Sequence, residues 1–254
     1  MGASCGKEAQ KKKMAEADGA GGEGAGGWAL LPVTANDALV LDQLAKEAPS
    51  AALFTVVSKA MLVMKRKAAE ARAAVEQKRA DGTLSPTSSQ KSEAADRPSE
   101  LARSESIRAG MLLLDQRLAR MQLRSVAMGD DGNCQFRSFA HQLFGSQDAH
   151  EYVRGEAVGY MRAHADAFSF YFEGGEFERF LQKMARPMTW GDELTLKAVA
   201  ERFHVTIHVL TSSEENWSLK YEPDDGKSVK DIFLLYISPI HYNVFVHVDD
   251  RRGP

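Results

Sequence analysis

The chain has 254 residues, 44% of them hydrophobic, and 32 Lys and Arg against 35 Asp and Glu leave a formal charge of −3. That balance excludes the strongly basic character of a dedicated nucleic-acid binder, and with no run of about 18 apolar residues no transmembrane helix is expected. The only cysteines, Cys5 and Cys134, make no disulfide framework and point to a reducing compartment, the cytoplasm or the nucleus.

Residues 1–35 carry six glycines between Gly19 and Gly27 and read as a disordered tail. Lys11, Lys12 and Lys13 are followed by Ala, Glu and Gly rather than an apolar core, so no secretory leader is expected. Met1-Gly2 with Cys5 hints at dual acylation, but Gly6 stands where the myristoylation pattern has Ser or Thr.

A helical region is predicted over 36–82. Within it Phe54, Val57, Met61, Met64, Ala68, Ala71 and Val75 form a heptad stripe, a candidate coiled coil or docking surface for a helical partner over 54–75. Alanine at two of the stripe positions makes a weak seam, which equally fits a solvated helix packed on its own protein. Residues 83–103 are polar with Pro and Ser and read as a linker.

A helix from Ser104 to Arg124 follows, with Ile107, Met111, Leu114, Leu118 and Met121 on one face. It opens the catalytic candidate, residues 104–250. Helices are predicted over Gln135–Phe144, His150–His164, Glu176–Met184 and Leu194–Phe203. Strands are predicted over Val205–Leu210, Trp217–Tyr221, Ile232–Ile237 and Tyr242–Val248. Strands interleaved with helices imply an α/β sandwich.

Two places carry chemistry. Gly129-Asp130-Asp131-Gly132-Asn133-Cys134 sits between a turn and an amphipathic helix. A cysteine in the first helical turn meets unpaired N–H groups and the positive end of the dipole, which favour the thiolate and can hold an oxyanion. A lone cysteine is as often a structural core residue. Near the end of the sequence stands His241-Tyr242-Asn243. On a strand His241 and Asn243 share a face, so the amide can fix the imidazole tautomer as the third member of a triad does. An ordinary strand-end histidine remains the alternative. His247, on the same face, has no partner motif and reads as structural or exposed. The seven histidines have no metal-ligand spacing, and no phosphate or dinucleotide fingerprint occurs, so neither metal nor cofactor is expected.

Four segments, Asp131-Gly132-Asn133-Cys134-Gln135-Phe136-Arg137-Ser138, Trp190-Gly191-Asp192-Glu193-Leu194-Thr195-Leu196, Val205-Thr206-Ile207-His208-Val209-Leu210 and Ile240-His241-Tyr242-Asn243, together resemble the OTU (ovarian tumour) family of cysteine proteases. The likeness is strongest to plant and protist members; it spans about residues 107–247 and leaves out residues 1–100. It implies a papain-like α/β fold, a small central β-sheet flanked by helices, preceded by a helical or disordered N-terminal region. It implies a thiol-dependent deubiquitinase that hydrolyses isopeptide bonds of ubiquitin or ubiquitin-like conjugates through an acyl-enzyme. Ubiquitin, polyubiquitin chains and ubiquitylated proteins are then the partners. A weakly catalytic ubiquitin-binding scaffold that works through its N-terminal helix is the alternative, and a thiol hydrolase for another conjugate is a more distant one.

In this resemblance Cys134 is the nucleophile, His241 the general base, and Asp131 a member of the catalytic loop. Either Asp131 or Asn243 completes the triad; the expectation is that Asn243 orients the imidazole while Asp131 shapes an oxyanion loop with Gly132 and Asn133. Trp190 is expected in the core and Asp192 or Glu193 as a helix cap. Trp190, Asp192 and Glu193, with Glu214 and Glu215, are the weaker candidates for a groove that receives the basic ubiquitin tail.

Overall fold

The structure, a computed structural model, describes residues 28–48, 52–53 and 97–250. The 54–75 stripe lies outside these residues. Met1–Leu30 and Leu31–Pro254 form separate units, and of the first only Trp28–Leu30 are described. The second is an α/β sandwich.

Its described helices are α1 (Ala35–Glu47), α2 (Arg97–Arg120), α3 (Cys134–Phe144), α4 (His150–Ala163), α5 (Ala165–Phe168), α6 (Glu176–Met184) and α7 (Glu193–Phe203). The strands are β1 (Ala52–Leu53), β2 (Leu123–Val126), β3 (Val205–Thr211), β4 (Ser218–Tyr221), β5 (Lys230–Ile237) and β6 (His241–His247). They form one mixed sheet in the order β1-β4-β3-β5-β6-β2. The central pair β3–β5 is parallel, and β5–β6 and β6–β2 are antiparallel.

Alternate residues of the central strands feed two cores. Ile207, Val209, Ile232 and Leu234 pack under α3, α4, α6 and α7 with Phe136, Phe139, Val153, Leu181 and Val199. Leu210, Phe233, Leu235 and Phe245 pack on the other side with Val40 and Leu44 of α1, Leu114 and Leu118 of α2, and Met121 just beyond it. This double cover explains the continuous apolar run of β5. Phe245 of β6 joins this second core, and His247 at the end of the same strand is 5% exposed.

Several boundaries differ from the sequence reading. The tail expected to reach residue 35 ends sooner: Leu31 N–H donates to the Leu143 carbonyl at 2.7 Å, and Thr34 caps α1 in a reciprocal box with Asp37. Within the expected helical region 36–82, helix α1 ends at Glu47, because Ala48 turns extended ahead of Pro49; apart from Ala52–Leu53 of β1, the remainder of that region lies outside the described residues. Helix α1 serves the second core rather than a separate region. Helix α2 begins at Arg97, inside the expected linker, and stops at Arg120 rather than Arg124. Gln122 takes φ 54°, and Leu123–Val126 become the edge strand β2 against β6.

Candidate active site

Cys134 is the first residue of α3 and is 8% exposed. The helix ladder starts with Arg137 N–H donating to the Asn133 carbonyl at 2.9 Å, so the N–H groups of Cys134, Gln135 and Phe136 precede it. The turn before the cysteine requires glycine: Gly132 has φ +79°, and a Cβ there would lie 2.8 Å from the Met188 carbonyl oxygen.

Asp131 builds this turn. Its carboxylate accepts from the Asn133 N–H and the Asn133 side-chain amide, both at 3.0 Å, and from Arg137 at 2.6 Å. Arg137 above all, with Asn133, holds the carboxyl well below the usual carboxylate range. A carboxylate bonded in this way has no capacity left for the imidazole. Asp131 is thus bonded within the loop to Asn133 and Arg137, and among the described residues no hydrogen bond or ion pair joins it to His241.

His241 opens β6 beside Cys134. Its Nε2 lies 3.0 Å from Asn243 Oδ1, and the same oxygen accepts the Met128 N–H at 2.8 Å. The Met128 bond identifies the Asn243 atom as the oxygen, so Nε2 must carry the proton that it donates. In the neutral ring the bare nitrogen is then Nδ1. That atom is buried without a hydrogen bond of conventional geometry, yet Cys134 is close enough to be the largest influence on the ring. The Cys134 side chain raises the imidazole above its ordinary range; burial opposes this, and Asn243 and Asp130 add to it. Asp130 Oδ1 lies 3.6 Å from Nδ1 at the solvent edge. Asp130, one residue ahead of the motif, has no role in the sequence reading, since its distance from His241 depends on the turn.

A cleft opens at the cysteine, lined by Cys134, Gln135, Trp190, Gly191, Tyr236, Pro239, Ile240, His241 and Tyr242. Trp190 is 60% exposed here, not core as expected, because the short connection from α6 to α7 runs along the cleft mouth. Gly191 is confined: a Cβ there would sit 1.8 Å from Gln135 Oε1, an atom held by the Thr195 hydroxyl at 2.6 Å. The Tyr236 and Tyr242 rings stack 4.4 Å apart on the opposite wall. Asp192 and Glu193 do not line the cleft. Asp192 caps α7, its carboxylate accepting the Leu194 and Thr195 N–H groups, and Glu193 is the first residue of that helix. Glu214 and Glu215 are exposed in the β3–β4 loop and are absent from the cleft lining too.

The inward face of the cysteine loop holds a residue that sequence reasoning missed. Arg154 of α4 is 3% exposed and donates to Asn133 Oδ1 at 2.7 Å. Asn133 Oδ1 also accepts the Met188 N–H at 2.8 Å. The Asn133 side chain therefore points into the protein and is engaged there by Arg154, Met188 and Asp131. Among the described residues no group of three or more His, Cys, Asp or Glu could hold a metal ion, and no helix is long and apolar enough to cross a membrane.

Residues 129–245 match the profile of the family described as OTU-like cysteine protease. That match takes in both the cysteine loop and the His241–Asn243 strand. Two relatives from Arabidopsis thaliana align with it. Ovarian tumor domain-containing deubiquitinating enzyme 10 is 36% identical over 51% of this chain and 36% of its own length. Enzyme 11 of the same series is 34% identical over 52% of this chain and 53% of its own. The chain thus spans about half or less of these relatives. The solved OTUD1 OTU domain aligns at 23% identity and a TM-score of 0.49, covering 56% of this chain and 98% of that one. Cys134, His241 and Asn243 all fall within the matched residues.

Proposed function

We propose that this chain is a cysteine-type deubiquitinase that hydrolyses isopeptide bonds of ubiquitin conjugates, with Cys134 as nucleophile, His241 as acid and base, and Asn243 as orienter. The observation that carries this reading is Asn243 Oδ1 between His241 Nε2 and the Met128 N–H. It leaves Nδ1 bare for the thiol at the start of α3. The two plant relatives, named as deubiquitinating enzymes, support the substrate class.

In the first step the Cys134 S–H proton passes to His241 Nδ1 and the sulfur attacks the isopeptide carbonyl carbon. The oxygen gains negative charge and is met by main-chain N–H groups of the α3 start. The C–N bond then breaks as the imidazolium gives its proton to the departing lysine amine, leaving a thioester. A water molecule loses a proton to His241 and attacks the thioester. The sulfur departs, recovers the proton, and a ubiquitin carboxylate is released.

The test is a ubiquitin bearing a C-terminal electrophile, followed by a panel of diubiquitin linkages. Covalent labelling at Cys134, lost in Cys134→Ala, and cleavage of at least one linkage are expected. Labelling that survives Cys134→Ala would remove the assignment. Tight ubiquitin binding without cleavage of any linkage would replace it with the scaffold alternative.

A further inference from the structure

Arg154 is a buried cation without a carboxylate in its grasp. One terminal nitrogen of its guanidinium donates to the Met184 and Thr189 carbonyls, both at 2.9 Å, and the other donates to Asn133 Oδ1 at 2.7 Å. The plane lies 4.0 Å over the Phe136 ring, and Phe136 is itself fully buried. Burial pushes the guanidinium down to about 10, which leaves it charged at neutral pH.

The three acceptors sit on separate pieces of the active site. Asn133 directly precedes the nucleophile. Met184 ends α6, and Thr189 adjoins Trp190 on the cleft wall. Met188, between them, closes the arrangement from the other side: its N–H reaches Asn133 Oδ1, its carbonyl abuts Gly132, and its own φ is +61°. A non-glycine residue in that region is held there by its surroundings.

We propose that Arg154 is a positioning residue that fixes the Asn133–Cys134 peptide relative to the 184–190 segment, and so sets the main-chain N–H of the nucleophile against the cleft wall. A guanidinium suits this role because its rigid fork serves separated oxygens in one plane, whereas an ammonium is a single point. His241 and Asn243 lie outside the clamp, on β6, and are tied to Met128. The imidazole and Asn243 are therefore held independently of Arg154.

The inference rests on the deubiquitinase reading for its turnover assay, and the other readouts do not need it. Arg154→Lys keeps the charge and removes the fork. Its melting curve, the pH profile of Cys134 alkylation by iodoacetamide, and kcat and KM on a cleavable ubiquitin C-terminal amide are compared with the parent. We expect an unchanged alkylation profile, a similar KM, and kcat lowered at least roughly tenfold, toward the roughly 10²-fold that a 1 Å misplacement can cause. A folded Arg154→Lys with parent-like kcat overturns the proposal, as does a displaced alkylation profile, which would place Arg154 in the thiol–imidazole pair. If Arg154→Lys does not fold, hydrogen exchange on the parent decides. The Asn133 amide, bonded to Asp131, and the Met188 amide, bonded to Asn133, are expected to open with one common free energy. Independent opening overturns the clamp. A parent inert toward every ubiquitin substrate would refute the deubiquitinase reading alone, and the same exchange measurement would still judge Arg154.

Discussion

Asn243→Ala removes one oxygen that holds two donors, the Nε2–H of His241 at 3.0 Å and the Met128 N–H at 2.8 Å. Met128 is 6% exposed. Stranding its N–H costs about 1–3 kcal/mol, and at about 2–4 °C per kcal/mol for a domain of this size the melting temperature should fall by about 2–12 °C. The catalytic effect is separate. Without the acceptor the ring can protonate Nδ1, the atom that has to receive the thiol proton, and it can swing off the nucleophile. Loss of an orienter should lower turnover by about 10²–10⁴-fold, or about 3–5 kcal/mol of transition-state stabilisation. Asn243→Asp offers a carboxylate to the same two N–H groups. It should keep turnover within about tenfold of the parent and raise the imidazole further, because an adjacent anion favours imidazolium. The assay is a pH–rate profile of each variant on one diubiquitin, alongside its melting curve. Should Asn243→Ala match the parent while Asp131→Ala abolishes turnover, the orienter is Asp131 and the tautomer argument fails.

Two further substitutions probe the same site. Asp130→Asn removes the carboxylate 3.6 Å from Nδ1, one of the groups that raises the imidazole. A raised histidine adds stability that is complete below its unfolded value near 6.5 and is lost as pH rises through the folded value. The limb of the rate profile that reports the imidazole and the pH above which that stability disappears should both move down in Asp130→Asn; an unmoved profile would show that the exposed carboxylate is screened out. Gly132→Ala places a Cβ 2.8 Å from the Met188 carbonyl at φ +79°, and the backbone strain alone is of order 1–3 kcal/mol. A lower melting temperature and slower ubiquitin-probe labelling are expected, and a variant equal to the parent in both would mean that the turn accepts a side chain.

The sequence was most readable where a period and a chemical type coincide. Cys134 heads an amphipathic run, and His241 and Asn243 share a strand face, so both halves of the site could be placed before their distance was known. The edge strand β2 was hidden because Leu123 follows Met121 and Leu118 without a break signal, and four residues are too few to show a second period. Trp190 was read as core because a large aromatic is usually buried; its exposure depends on the course of the α6–α7 connection, which no local pattern encodes. Arg154 was invisible for the opposite reason. An arginine on an amphipathic helix reads as solvent-facing, and only the tertiary fold shows that the carbonyls of Met184 and Thr189 turn inward to meet it.

The placement of charge explains why a neutral amide can serve as orienter here. Asp131, the acid nearest the cysteine in the motif, is already engaged by Arg137, and Asp130 stands at the solvent edge with its side chain 90% exposed. Neither supplies His241 with a buried counter-charge. The largest influence that raises the ring is Cys134 itself. Asn243 therefore has to supply direction rather than charge: it fixes which nitrogen holds the proton and leaves the ionic state to the sulfur and imidazole together. A carboxylate at the same position would do both. That is why Asn243→Asp should move the pH profile while sparing turnover, and Asn243→Ala should damage turnover out of proportion to its effect on the pH profile.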